Sequence, residues 1–506
     1  MKVVSLQTGC INVVVHMLTL LSRRKDIDEH ARQVYKYLLY AAPHLMDIAH
    51  ACHYQRRAYM TEIFLPVLLE KGKLHVTISN INIVINSWRE NKCMELSSVT
   101  HLKVGDIEGS QCFNFLPFLG QLSNLQFLDI GCIVDDELLA VLGLNCPNLE
   151  VFDAREGMVN TITNTGLSYL CQCKKLRRIL FSNFTDEYSC PQDRLGFFGS
   201  GIALLLLSLP MIEQVLCSEY LLRDALNFLY QTSYRKRIIP VKCMFLDHPE
   251  VAVCNTLMQI MPLWCPNIEV LTLYVKCAKE KLIGNCLRSL SKLRILVMTV
   301  SSGCNFDHFN FTSFGPQLVY LQITAYLIGS RDITLISQTC TNLKTLGLKM
   351  YSFGFDGDVK GETTESIFPT VEKLELQQNI SVRLFRFLNI YMENLREVYC
   401  AWATVHDLEE VLKVIVQSGG WKKTTLLVLP VMSHLSLSVA KMIADVLPKL
   451  SCLGITLLHP SQELELTKHV QHQLSNISLV DQEDIVSPSN SGIFSQNMWG
   501  EEIRKR

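Results

Sequence analysis

VDDELLAVLGLNCPNLEVFDA, residues 134–154, holds the pattern that decides the fold. Its last six residues, LEVFDA, run apolar-x-x-apolar-x-apolar, the alternation of a short strand with one buried side. The stretch DDELLAVLGLN ahead of them reads as a helix, and Cys146 closes that helix just before the strand begins. A unit this small cannot bury its own apolar face, so it needs neighbours of the same kind stacked against it.

Those neighbours are present. The six-residue pattern returns as LQFLDI from Leu125, LRRILF from Leu176, IEVLTL from Ile268, LRILVM from Leu293, LVYLQI from Leu318, LKTLGL from Leu343 and VEKLEL from Val371. Weaker copies start at Val99, Ile212, Val241, Leu395, Thr424 and Leu450. The starts lie 24–36 residues apart with a mean of 27, a period that marks a stacked repeat array. Helical stretches follow several strands: TGLSYLCQC after Asn164, RDITLISQTC after Ser330 and VRLFRFLNIYM after Ser381.

The units resemble the leucine-rich repeat family, and within it the cysteine-containing subtype, where a strand is followed by an I-T-D-x-G-L-like turn and a helix ending C-P-N-L. The matching stretches are VDDELLAVLGLNCPNLE (134–150), ITNTGLSYLCQCKKLR (162–177), PLWCPNIE (262–269) and SQTCTNLK (337–344). The resemblance covers roughly residues 97–457, although the unit at 176–211 carries about nine extra residues and the asparagine or cysteine expected after the strand is often missing. It implies an α/β fold: a horseshoe-shaped solenoid of about fourteen strand-helix units over residues 96–460. Residues 1–95 read as a helical block, with runs at 11–22, 27–40, 43–53 and 61–69, and residues 461–506 as a terminal cap and a polar tail.

Composition excludes several classes. The chain has 506 residues, more than a single compact core organises, and 48% are hydrophobic without an unbroken run long enough to span a bilayer. A formal charge of −1 supplies no field to attract nucleic acid or an anionic membrane. Lys2 and the apolar residues up to Leu21 loosely resemble a secretion signal, but Gln7, Thr8, Asn12 and His16 interrupt them and no A-x-A pattern precedes Arg23. The 19 cysteines are odd in number, and Cys146, Cys173, Cys265 and Cys340 recur at one place in the repeat. Such spacing predicts reduced, buried packing residues in cytoplasm or nucleus. One cysteine per layer does not assemble tetrahedral ligands, so no metal is expected. The sequons at Asn183, Asn310, Asn379 and Asn476 occur at about chance frequency.

No catalytic signature is found: there is no phosphate-binding loop, no H-E-x-x-H, no G-x-S-x-G and no dinucleotide fingerprint, and no cofactor is implied. FDGDVKGETTESI (355–367) begins like a calcium loop with Asp356, Asp358 and Gly361, but Lys360 and Ile367 stand where ligands are needed, so it reads as a surface loop. His44, His50, His53, His469 and His472 read as solvated or partly packed helical residues. What the array offers is a wide strand face. Phe127, Arg155, Arg178, Tyr274, Tyr320, Lys349, Lys373, Glu375 and Tyr399 are expected to point outward from it, the mix of aromatics and charges enriched where proteins bind proteins.

SLQTGCINVV (5–14) adds a second expectation. On a helix Leu6, Cys10 and Val14 fall at i, i+4 and i+8 and form a narrow apolar stripe that a partner groove could accept. Ser5, Leu6, Cys10 and Val14 resemble the BC box, through which substrate receptors bind the elongin B and C pair, and APHLM (42–46), with Pro43 and Met46, resembles the cullin box that follows it. The chance of such a match is real, since TLYVKCAKEK from Thr272 fails only at Lys281. The resemblance implies a substrate-recognition subunit of a cullin-RING ubiquitin ligase that holds a protein substrate on its repeats. Two alternatives stand beside it: an F-box-type receptor bound to SKP1, and a leucine-rich scaffold with no ligase link. A secreted array is a third, needing paired cysteines and a signal peptide.

Overall fold

A computed structural model describes residues 73–76 and, with interruptions, 96–479. It falls into two compact units, Met1–Val241 and Lys242–Arg506. In the first unit six strands follow in chain order: β1 (Lys73–Val76), β2 (His101–Val104), β3 (Phe127–Ile130), β4 (Val151–Ala154), β5 (Arg178–Phe181) and β6 (Gln214–Leu216). Each pairs in parallel with the next. Helices α1 (Cys112–Leu119), α2 (Asp136–Asn145), α3 (Asn164–Leu170) and α4 (Gly199–Ser208) connect β2 through β6, and α5 (Glu219–Gln231) follows.

The second unit repeats the scheme with β7 (Cys243–Leu246), β8 (Val270–Val275), β9 (Ile295–Val300), β10 (Tyr320–Gly329), β11 (Thr345–Gly354), β12 (Lys373–Gln377), β13 (Glu397–Trp402), β14 (Leu426–Val428), β15 (Cys452–Gly454) and β16 (Ser478–Leu479). Successive strands again pair in parallel. Among the described helices are α6 (Asn255–Trp264), α7 (Glu280–Ser289), α8 (Ser330–Thr339) and α9 (Leu437–Val446). Every one of the fourteen starts read from the sequence leads, two residues on, into a strand, from Val99 into β2 to Leu450 into β15. The ladders also take in β1 and β16, which lie outside the interval 96–460 expected for the array; KLHV and SL are too short to display the repeat pattern.

Parallel pairing in step with the repeat places like residues in rows. Leu102, Leu128, Phe152, Ile179 and Val215 share one row of the first unit, each 2% exposed or less. In the second, Leu271, Leu296, Leu321, Leu346 and Leu374 form a row, and Leu273, Met298, Ile323, Leu348 and Leu376 the next on the same side, all at 2% or less. Each such side chain contributes about 1.5–3 kcal/mol by leaving water, and no layer could obtain that alone.

The strand entries solve a backbone problem. Two consecutive amides donate to one carbonyl of the preceding layer: Glu150 and Val151 to Gln126 at 2.8 and 2.9 Å, Arg177 and Arg178 to Glu150, and Glu269 and Val270 to Lys242. Groups that would be orphaned in an isolated strand are thereby paired. Side chains of opposite sign meet at the same edge, Arg177 with Glu213 at 2.8 Å and Lys344 with Glu372 at 2.9 Å, which discourages a slip in register.

Helices α2 and α3 begin at side-chain caps. Asp135 caps α2 by accepting from the Leu138 amide at 2.8 Å, and Thr163 caps α3 by accepting from Thr165 at 3.1 Å. Thr163 also donates its amide to Asp136 at 2.7 Å, tying one layer to the next. Gly143 lets α2 and α3 touch, because a Cβ there would lie 2.3 Å from the carbonyl oxygen of Tyr169. At the helix end Cys146 donates its amide to Leu142 and buries its thiol. The Cys173 thiol donates to the Cys146 carbonyl at 3.6 Å. Cys146, Cys173, Cys265 and Cys340 are all buried and unbridged, and burial pushes each thiol up to about 12. They act as small packing residues, as their spacing predicts.

Asparagines standing just ahead of the first leucine of a unit hold the turns together. Asn148 donates to Asn124 Oδ1 at 3.2 Å and accepts from Lys175 at 2.8 Å, while Asn342 and Asn394 donate to the Pro316 and Pro369 carbonyls at 2.7 and 2.6 Å.

Candidate functional site on the strand faces

Side chains alternate across a strand, so the residues between the buried rows point away from the helices. In the first unit His101, Phe127, Val151 and Arg178 stand in register on β2–β5. The His101 and Phe127 rings stack, 5.8 Å apart and tilted by 20°. The next outward row begins Lys103, Asp129, Asp153, and Lys103 reaches Asp129 at 2.8 Å. Arg155, one residue past β4, grips Asp153 with two hydrogen bonds, Nε to Oδ1 at 2.9 Å and Nη2 to Oδ2 at 2.7 Å. Depth sorts these charges: the side chains of Lys103 and Arg155 are 39% and 26% exposed, those of Asp129 and Asp153 only 14% and 6%. The carboxylates form the floor and the cations the rim.

The second unit has a different arrangement. Tyr320 on β10 donates to Gln322 Oε1 at 2.9 Å and lies 3.3 Å from Glu375 Oε2 on β12, two strands away. Gly347 occupies the intervening strand in register with Gln322 and Glu375. A Cβ at Gly347 would come within 3.0 Å of Gln322 Cγ, so the absent side chain is what lets the tyrosine network pass over β11. Lys373 closes the group: its ammonium sits 2.9 Å from Glu375 Oε1 and 4.6 Å from the centre of the Tyr399 ring. The Tyr399 hydroxyl reaches Glu397 at 3.5 Å. Burial, then the Glu375 carboxylate, raises the Tyr320 hydroxyl well above the ordinary phenol range, and burial, then Glu397 and Glu375, raises Tyr399.

Of the outward residues expected from sequence, Phe127, Arg178, Tyr274, Lys349, Lys373 and Tyr399 are half-buried on outward rows, and Arg155 joins them beyond its strand. Tyr320 and Glu375 depart from expectation. Both take outward register positions but are only 5% and 6% exposed, because they bond to each other beneath the surface. Lys103, Asp129, Asp153, Gln322, Gly347 and Glu397 were not singled out, though they hold the same alternating positions as those that were. Ser5, Leu6, Cys10, Val14, Pro43 and Met46 lie outside the described residues, as do the five histidines of the flanks and the loop 355–366. Ile367, at the end of that loop, is buried. The near-match to the BC box starts on β8 with Thr272 and Leu273, so it does not open on a helix as the box requires.

Among the described residues no group of three or more His, Cys, Asp or Glu is placed to hold a metal ion, and no helix is long and apolar enough to cross a membrane. Parallel strands in chain order, with helices between those whose connections are described, make the fold an α/β leucine-rich-repeat solenoid, a scaffold with a strand face in each unit.

No protein-family model matches the chain, and no curated protein matches it in sequence. Among solved structures the chain is similar to the crystal structure of a TLR13–ssRNA13 complex, with a TM-score of 0.40 and 16% identity over 76% of this chain. It spans about half of that protein, 53% of its length. It is also similar to the crystal structure of the Rad7 and Elc1 complex in yeast, with a TM-score of 0.39 and 12% identity over 88% of this chain and 99% of the other.

Proposed function

We propose that the chain is a non-catalytic protein-binding subunit that holds a protein substrate on its outward strand faces and attaches, through its amino-terminal segment, to the elongin B and C pair of a cullin-RING ubiquitin ligase. The binding half rests on one observation: each unit places paired charges and half-buried aromatic rings on strands fixed by its own buried core. Rigid side chains lose little freedom on binding, which favours affinity. The attachment half rests on the sequence, where Ser5, Leu6, Cys10 and Val14, followed by Pro43 and Met46, occupy a segment of their own ahead of the repeats.

In this reading the attachment block lies ahead of β1, the strands β1–β6 and β7–β16 form the substrate-binding array, and the residues after β16 are a tail. The chain works in cytoplasm or nucleus with reduced cysteines. It contributes proximity, while an associated RING subunit and its loaded conjugating enzyme supply the chemistry.

The test is affinity purification of the full chain beside a Leu6→Ser, Cys10→Phe double variant, blotting for elongin C, cullins and SKP1, with a melting curve for each protein. Elongin C retained by the parent and lost from an equally stable variant upholds the attachment. If the parent brings down SKP1 and no elongin C, the F-box-type reading replaces it, and if neither is retained the chain is a scaffold without a ligase link.

A further inference from the structure

We infer that the outward row Tyr274, Thr299, Thr324, Lys349 and Gln377, on β8–β12, docks an extended protein segment that carries one acidic side chain and, four residues from it, an apolar or aromatic one. The inference deepens the proposed function by naming the class of substrate, and rests on that reading's placing the substrate on a strand face.

Register is the first argument. The five residues are paired strand by strand: Tyr274 with Thr299, Thr299 with Thr324, Thr324 with Lys349 and Lys349 with Gln377. Each stands one residue past the buried row that runs from Leu273 to Leu376, so its side chain leaves the sheet on the opposite side. All five are half-buried.

Unused bonding capacity is the second. Among the described residues none forms a hydrogen bond or an ion pair with any of these five side chains. The row one outward position earlier is closed by contrast. There Thr272, Val297 and Glu375 are 1%, 6% and 6% exposed, Gln322 accepts from Tyr320, and Glu375 is held by Lys373. Three hydroxyls, an ammonium and an amide in line therefore offer a ligand a continuous set of donors and acceptors.

Charge is the third. Lys349 is the one ionic group of the row, and Glu375, on the adjacent strand, already has Lys373 as its partner. A carboxylate gains at Lys349 where an ammonium is repelled. A nucleic acid would lay several phosphates along a row with one cation, so a polyanion fits poorly. At about 4.8 Å per strand Lys349 lies about 14 Å from Tyr274, and residues four apart on an extended chain, which share a face, are about 13 Å apart. A segment crossing the strands thus sets its acid on Lys349 and its apolar side chain against the Tyr274 ring, with its backbone over Thr299 and Thr324.

The experiment offers the full chain an immobilised library of eight-residue peptides and scores which residue pairs are enriched. An acidic residue with an apolar or aromatic one four places away is expected, with binding weakened by salt. A selected peptide, labelled for fluorescence anisotropy, should bind Lys349→Met roughly fivefold more weakly or worse, and Lys349→Glu should prefer the version with lysine in place of the acid. Lys292→Gln, in the turn ahead of β9, should change nothing. Since Lys349 has no partner to lose, Lys349→Met should melt as the parent does. An early melt means that the ammonium is already used within the fold, and overturns the inference.

A library with no acidic preference overturns it as well, as does equal binding by Lys349→Met. Binding shown only by a phosphoserine peptide, or by single-stranded RNA in place of any peptide, does the same. The Leu6→Ser, Cys10→Phe variant separates the two readings: it should lose elongin C and keep the peptide. A parent that selects the acidic peptides but retains no elongin C sinks the ligase reading and leaves the docking row standing, and the reverse result does the opposite.

Discussion

The two units carry charge on their outward strand faces in opposite styles. In Met1–Val241 the ion pairs described on this face are local: Lys103 meets Asp129 on the next strand, and Arg155 meets Asp153 two residues back, with the carboxylates deeper than the cations. In Lys242–Arg506 one network runs from Tyr320 across Gly347 to Glu375, Lys373 and Tyr399, and its key carboxylate is buried. The same repeat therefore supports a surface that presents charge and a surface that locks it away. What separates them is one missing side chain, at Gly347, which opens a path between residues 55 apart in sequence.

The largest expected effect acts on both units alike and so sets the baseline for the comparison. Burial pushes the thiols of Cys146 and Cys173 in the first unit and Cys265, Cys286 and Cys340 in the second up to about 12, from 9.0 for an ordinary thiol. Unfolded thiols ionise first, so stability is complete below about pH 9 and falls as pH rises from there toward 12. Denaturant midpoints recorded between pH 8 and 10.5 should decline, and these thiols should resist alkylation until the chain unfolds.

Mutations then separate the units. Glu375→Ala removes the carboxylate partner of the half-buried Lys373 and a neighbour of the buried Tyr320 hydroxyl, and should cost about 2–3 kcal/mol in urea unfolding. A cost under about 0.5 kcal/mol would mean the network is decorative. Asp153→Ala removes the floor under Arg155, which can still reach water, so about 1–2 kcal/mol is expected. Gly347→Ala should cost about 1 kcal/mol, since Gln322 must give way, and it should raise the mobility of Tyr320 in aromatic NMR spectra. Lys103→Ala, at a pair whose lysine is more than a third exposed, should change stability by less than about 0.5 kcal/mol, with even that lost in high salt. A Lys103 effect as large as that of Glu375 would erase the distinction between a presenting face and a locked one.

Much of the fold was legible because a repeat states the same physical demand many times. Leu125, Leu149 and Leu176 each announce a strand two residues on, since a buried row needs an apolar side chain in every layer. Cys146, Cys265 and Cys340 announce helix ends, each standing directly after the last helical residue and buried there, whereas Cys173 falls two residues beyond the cap of its helix. β1 and β16 escaped notice, since four and two residues cannot display a period. Alternation also marked which residues face outward, and Phe127, Arg178 and Lys373 occupy such positions. Depth was not legible. Nothing near Tyr320 or Glu375 in the chain announces that the two meet, because the contact depends on register across two strands and on the glycine between them.

By itself the sequence determined that this protein is a stacked strand-helix array, where its strands begin, and which side chains alternate away from the core, all consequences of local periodicity repeated with a mean step of 27 residues. Only the tertiary structure decided which of those side chains reach solvent, which carboxylates sink beneath their cations, and where an absent side chain lets a network cross a strand. Those outcomes depend on distances between layers, and a single layer does not contain them.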